Sequence, residues 1–275
     1  MTQIRSVHKA VNILKLFSPD EPRLALTEIS KRLGLGKSTA HNLLNTLVQA
    51  GLIEKLDDGV YALGPEVIAL SQGVRINVEL RDLAAPLLRR LAEVAKESVY
   101  LAVFDRVRVL YIYAIESPDR LRARSAVGDR ALLHCTAVGK AILSMLSPQE
   151  VDAIVHEMGQ PAYTATTITE RGALDVELAR IRQQGYSTDH SEHEANYYCI
   201  GAPILDRRGR VIGACSLSGT SPAILQDRLA DLSVRVVNTA QEISRYMGYI
   251  PPRPLAMVVL PEHHEHHRRR VATQP

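Results

Sequence analysis

The segment from Lys31 to Ile53, KRLGLGKSTAHNLLNTLVQAGLI, holds no carboxylate, and it constrains the fold more than any other stretch of the chain. Within it Ala40, Leu43, Leu44, Leu47 and Val48 recur at i, i+3, i+4, i+7 and i+8, which is one apolar stripe of a helix. The remaining face carries Lys37, Ser38, Thr39, His41, Asn42, Asn45 and Gln49. A helix face that is merely solvated usually mixes Glu with Lys. A helix lying beside phosphates cannot carry Glu or Asp cheaply, and it needs amides and hydroxyls to reach base edges.

The flanking sequence fits a helix-turn-helix with a wing. Ser6 is placed to cap a first helix with Val7, Ala10, Val11, Leu14 and Phe17 inward, stopped by Ser18-Pro19-Asp20-Glu21-Pro22. Thr27 can cap a short second helix with Ile29 and Leu33 inward, closed at Gly34. Gly36 then turns the chain into the recognition helix. The runs Ile53 to Leu56 and Val60 to Leu63 flank Asp57-Asp58-Gly59, a strong hairpin signal. This arrangement predicts double-stranded DNA as a partner. Lys37, Ser38, Thr39, His41, Asn42 and Asn45 would reach it from the recognition helix, and Lys55 and Tyr61 from the wing. Three-helix units with hairpins also serve as protein-interaction modules, and residues 1–63 carry only eight Lys/Arg against six Asp/Glu. The charge is uneven, however: 31–55 holds four basic residues and one acidic.

Composition removes several classes. No apolar run reaches the roughly 18 residues that span a bilayer, and the opening MTQIRS is unlike a signal peptide, so the expectation is a cytoplasmic protein without a membrane partner. Aromatic residues make up 4% with no Trp, against a module built on stacking bases. Three cysteines, Cys135, Cys199 and Cys215, sit among apolar residues and do not suggest a disulfide framework. Gly36-Lys37-Ser38 mimics the end of a phosphate-binding loop, but position 31 is Lys where that loop needs glycine. Gly139-Lys140 fails likewise, with His134 in the glycine position and Ala141 after the lysine.

Beyond Gly64-Pro65, a helix from Glu66 carries Val67, Ile68, Leu70, Val74 and Ile76, either as a dimer-forming connector or as a helix packed on its own wing. A second helix follows to about Lys96, with Pro86 inside it. Period-two alternation then marks strands at 99–104 and 107–113, with 121–127 a possible third. Helices are expected near 137–146, 148–158 and 169–184, and strands at 186–190, 197–205 and 210–218. A last helix runs from Pro222 to about Met247. Adjacent hairpins with grouped helices indicate an antiparallel α+β domain. The divisions are 1–64, a linker helix over 65–80, 81–250, and an exposed tail over 251–275.

Four segments together resemble the IclR family of bacterial transcriptional regulators: SVHKAVNILKLF at 6–17, LTEISKRLGLGKSTAHNLLNTL at 26–47, LLHCTAVGKAIL at 132–143 and GYSTDHSEHEANYYCIGAPILDRRGRVIGACSLSG at 185–219. The resemblance implies a GAF-like C-terminal domain that binds a small organic-acid effector, and homodimers, often paired into tetramers, on a palindromic operator. It places the effector carboxylate on the backbone amides of Ala137 and Val138, where a helix N-terminus offers free N–H groups and partial positive charge. It sets Asp189, Cys199, Ser216 and Ser218 around the same pocket. Taken alone, Cys199 and Ser216 read as small core residues. Residues 195–198, Ala-Asn-Tyr-Tyr, depart from the family, whose members commonly carry a glycine shortly before the cysteine. Tyr197 and Tyr198 beside polar groups point to an aromatic or hydroxy acid.

The resemblance implies no enzyme and no cofactor. Against it stand a thiol hydrolase built on Cys199 with His190, His193 and Asp189, and a metal site. His190-x-x-His193 with Cys199 would make one set of ligands, His263, His264, His266 and His267 another, but neither has a standard finger spacing. No metal residues are assigned.

Overall fold

The computed structural model describes residues 4–18, 21–72, 75–117 and 127–251. The chain divides into two compact units, the first ending at Glu79 and the second beginning at Leu80.

The first unit packs three helices, α1 (Arg5–Leu14), α2 (Leu26–Leu33) and α3 (Lys37–Gln49), against a hairpin of β1 (Ile53–Lys55) and β2 (Tyr61–Leu63). Gly34 closes α2 in the left-handed conformation, at φ 61°, and extended Gly36 precedes α3. Ile13, Phe17, Leu24, Ile29, Leu44, Leu47, Ile53 and Tyr61 form its core. Both helix caps read from the sequence are displaced. α1 begins after Ile4 with Ser6 inside the helix, and α2 begins after Ala25 with Thr27 in its first turn; neither has a side-chain cap. The inward stripe of α1 is also rotated. Ile13 and Phe17 are buried with Ala10 and Leu14 alongside, while Val7 and Val11 are exposed. Both stripes are apolar at helical spacing, and packing rather than periodicity selects between them.

Beyond the wing come α4 (Glu66–Gln72) and α5 (Arg75–Ala95), with Pro86 inside α5. Ile68 and Leu70 of α4 are exposed, so they are not packed on the wing of the same chain. In the second unit six strands form one antiparallel sheet in the order β5-β4-β3-β8-β7-β6. They are β3 (Ser98–Asp105), β4 (Arg108–Ile115), β5 (Arg130–Leu132), β6 (Ser187–His190), β7 (Tyr198–Leu205) and β8 (Val211–Gly219). β5 was not anticipated from the sequence, and 121–126 of the strand expected at 121–127 lie outside the described residues, as do 252–275 of the tail. Both faces of the sheet are covered. On one, Val99, Leu101 and Val103 of β3 pack with Leu80, Ala84, Leu87, Leu88 and Leu91 of α5 and with α9 (Leu229–Tyr246). On the other, Tyr100 and Ala102 pack with α6 (Ala137–Ser144), α7 (Pro148–Met158) and α8 (Arg171–Gln184). The last helix expected from Pro222 is divided: Pro222–Leu225 is a 3-10 turn, and α9 starts at Leu229.

Candidate functional site

Two cross-strand rows of small polar residues share the α6 face of the sheet. In register, Ser98 of β3 opposes Ser218 of β8, Ser218 opposes Cys199 of β7, and Cys199 opposes Asp189 of β6. The next row runs Tyr100, Ser216, Gly201, Ser187. α6 starts directly over these rows because Gly201 has no side chain. A Cβ there would fall 2.8 Å from the carbonyl carbon of Ala137. Ser187 Oγ donates to Ala137 O at 2.6 Å, which fixes the approach.

The start of α6 is capped from within the chain. Thr136 Oγ1 accepts the Gly139 N–H at 3.1 Å and donates to Leu132 O at 3.1 Å, and the Lys140 N–H is taken by Thr136 O. The Ala137 and Val138 N–H groups are thereby the first-turn donors left to face a cavity of about 270 Å³. Ala137, Val138, Asp189, Tyr197, Cys199, Ser216 and Ser218, named from the sequence, all line it. Tyr100, Tyr111, Thr136, Tyr163, His193 and Glu194 complete the lining and were not named as site residues. Tyr100 and Tyr111 meet edge to face, with centroids 5.8 Å apart. The Tyr100 hydroxyl donates to Glu116 Oε1 at 2.9 Å. Strand alternation was the one signal that could have placed Tyr100 beside the serines. Tyr198 takes the other direction and packs on the α5–α9 core.

The cavity's electrostatics follow from burial. Asp189 is 3% exposed, and burial raises its carboxyl to about 7 against the pull of two backbone donors, Glu192 N–H at 2.7 Å and that of His193. Burial likewise raises the Cys135 thiol to about 12. Cys199 accepts from Ser218 Oγ at 3.0 Å, and His193 stacks edge-on to Tyr163 with its Nδ1 3.8 Å from Cys135 Sγ. Among the described residues no three His, Cys, Asp or Glu side chains converge to hold a metal, and His263, His264, His266 and His267 lie outside them.

In the first unit Lys37, Ser38, Thr39, His41, Asn42, Asn45 and Gln49 are all exposed along α3, while Ala40, Leu44 and Leu47 are buried. Asn45 Nδ2 lies 3.3 Å from His41 Nδ1, so these two form one polar surface a turn apart. Lys55 is exposed on β1. Tyr61 is not available to a partner: it is 2% exposed, and its backbone exchanges hydrogen bonds with Leu24 at 2.9 and 3.0 Å. It is withdrawn from the DNA-facing set. Arg32, counted with the basic residues of this region, is held by Glu21 through two bonds of 2.7 and 2.8 Å.

The family model described as IclR helix-turn-helix domain matches residues 6–57, and that described as bacterial transcriptional regulator IclR C-terminal matches 72–245. The chain belongs to the IclR family. The HTH-type transcriptional regulator XynR of Escherichia coli is 33% identical over 250 residues, 90% of this chain and 99% of XynR. The Thermotoga maritima IclR structure superposes with a TM-score of 0.75 at 27% identity, over 90% of this chain and all of that one. An IclR homologue from Microbacterium hydrocarbonoxydans, complexed with 4-hydroxybenzoate, has a TM-score of 0.80 at 24% identity, covering 88% of this chain and 98% of that one. This IclR-family protein is thus a DNA-binding transcriptional regulator, as its relatives are, and not an enzyme. No helix among its described residues is long and apolar enough to cross a membrane.

Proposed function

We propose that this regulator reads a palindromic operator as a homodimer, or as a pair of dimers, and that a small organic acid in the α6 cavity sets its operator affinity. The observation that carries the effector reading is the cavity itself, where two helix-terminal N–H groups converge with Ser216, Ser218, Cys199 and Asp189. The N–H pair suits a carboxylate. Tyr100, Tyr111, Tyr163 and Tyr197 suit a ring or a hydroxyl, and about 270 Å³ is small beside the roughly 300–1,000 Å³ of drug-sized sites, so a single-ring or shorter acid fits. The 4-hydroxybenzoate of the Microbacterium neighbour is of that class, but a likeness at 24% identity bears on fold alone, and the aromatic preference rests on the tyrosines here. Lys37, Ser38, Thr39, His41, Asn42, Asn45 and Lys55 are the DNA-facing residues in this reading. Acting on operator DNA places the protein in the cytoplasm. The effector alters affinity only by binding the DNA-competent and incompetent arrangements unequally, typically by about 1–3 kcal/mol.

Mobility shift on the DNA upstream of its own gene, across salt and with a panel of aromatic and aliphatic acids, tests the proposal. Specific, salt-sensitive binding that an aromatic acid shifts is expected. A panel in which only aliphatic acids act removes the aromatic preference, and one in which no acid acts removes the effector reading.

A further inference from the structure

Behind the cavity lies a group of charges that close on one another. Lys140, on the second turn of α6, is 1% exposed; its ammonium pairs with Glu192 and lies 3.5 Å from Glu177. Arg180 pairs with Glu177 at 2.8 Å and donates to Thr188 Oγ1 at 3.1 Å. Among the described residues of this group two cations are matched by two carboxylates, and a third carboxylate stands beside them. The third is Asp189, which lines the cavity from β6 and touches this group through the backbone of Glu192. Among the described residues, the other ionisable groups near Asp189 include Glu192, His193 and Glu194 of the 191–197 loop, His190 beside it on β6, Lys140 of α6, and Cys135 ahead of α6.

An acid entering this cavity brings a further negative charge. The N-terminus of α6 offers about half an elementary charge to offset it, and Asp189 lines the same cavity of about 270 Å³ as the Ala137 and Val138 N–H groups. Two buried carboxylates sharing a small site do not both stay ionised. We propose that the acid binds together with one proton, taken up by the Asp189 carboxylate, so that Asp189 meets the ligand as a hydrogen-bond donor. The proton comes from solvent and ends on an Asp189 oxygen, and the ligand stays an anion on the Ala137 and Val138 N–H groups. The inference rests on the cavity being the effector site. Burial has already brought the free Asp189 carboxyl to about 7, so little further change is needed for it to hold the proton near neutrality.

Titration calorimetry on the full chain tests this with benzoate, 4-hydroxybenzoate and lactate, each in buffers of different ionisation enthalpy. The expected result is uptake of nearly one proton per acid at pH 8 and nearly none at pH 6. Affinity should fall toward tenfold per pH unit above about 7, one bound proton costing a factor of ten per unit. Asp189→Asn should bind the same acid with no uptake and a flat pH profile, while His190→Gln, beside Asp189 but outside the cavity lining, keeps the uptake. Binding without proton uptake overturns the coupling and leaves the effector site standing. Uptake that survives in Asp189→Asn, or is lost in His190→Gln, overturns the assignment to Asp189. Absence of heat with every acid overturns the effector site and the coupling together.

Discussion

Asp189 has a signature that needs no ligand. An unfolded Asp ionises near about 4, whereas this one holds its proton to about 7 in the fold. Between those values the folded chain keeps a proton that the unfolded chain releases, so stability falls as pH rises through that window and levels off above it. Asp189→Asn should flatten that fall in denaturant midpoints measured from pH 5 to 8; an unchanged slope would reject the raised value. Lys140→Met should cost about 3–5 kcal/mol, because it leaves Glu192 buried without its cation. The double variant Lys140→Met, Glu192→Leu should recover much of that in chemical denaturation. Gly201→Ala drives a methyl group into Ala137, and a loss of about 1–3 kcal/mol is expected, with weaker acid binding because the N–H donors are displaced. At this scale the sequence was legible where spacing matched the family's pocket motif: six residues separated by as many as 81 positions line one cavity, joined by Tyr197 from the segment that departs from the family. Tyr61 was misread because its neighbour Leu24 is distant in sequence, and a hairpin pattern carries no record of a third segment pairing beside it.

At the scale of elements, α3 is amphipathic in the sense expected, and its exposed face divides into two kinds of side chain. Lys37 is a point charge, so Lys37→Ala should weaken binding to all DNA sequences alike and lower the salt slope by about one unit, read from mobility shifts across salt. Thr39→Ala and Asn42→Ala should instead relax sequence preference; uniform weakening by both would exclude base reading. The helix expected near 148–158 is α7, where Ser147 and Glu150 form a reciprocal capping box that the sequence reading did not use. α1 was harder: Ala10, Leu14 and Phe17 lie inward as expected, but Ile13 rather than Val7 and Val11 completes the stripe, a choice made by tertiary contacts with Leu44 and Leu47. β5 is three residues long, too short for alternation to announce it; pairing with Arg108 to Leu110 defines it.

Across the whole molecule, the order of helices and strands followed from alternating periodicities, while the sheet order followed from pairing that no local pattern encodes. The segment HHEHHRRR near the C-terminus is rich in His and Arg; deletion of residues 252–275 should leave specific operator affinity nearly unchanged in a mobility shift, and a large loss would assign that segment a direct role. The sheet of the second unit has consequences for how such a regulator can change. Alternate residues of one strand belong to different tasks: Tyr100 borders the cavity, while Val99 and Leu101 bear on α5, which begins within the first unit. β8 repeats the division, with Ser216 and Ser218 on the cavity and Cys215 and Leu217 on the other core. On the proposed effector reading, substitution at every second position alters which molecule the cavity accepts while leaving the packing on α5 untouched. The intervening positions then retune that packing while leaving the choice of molecule as it was.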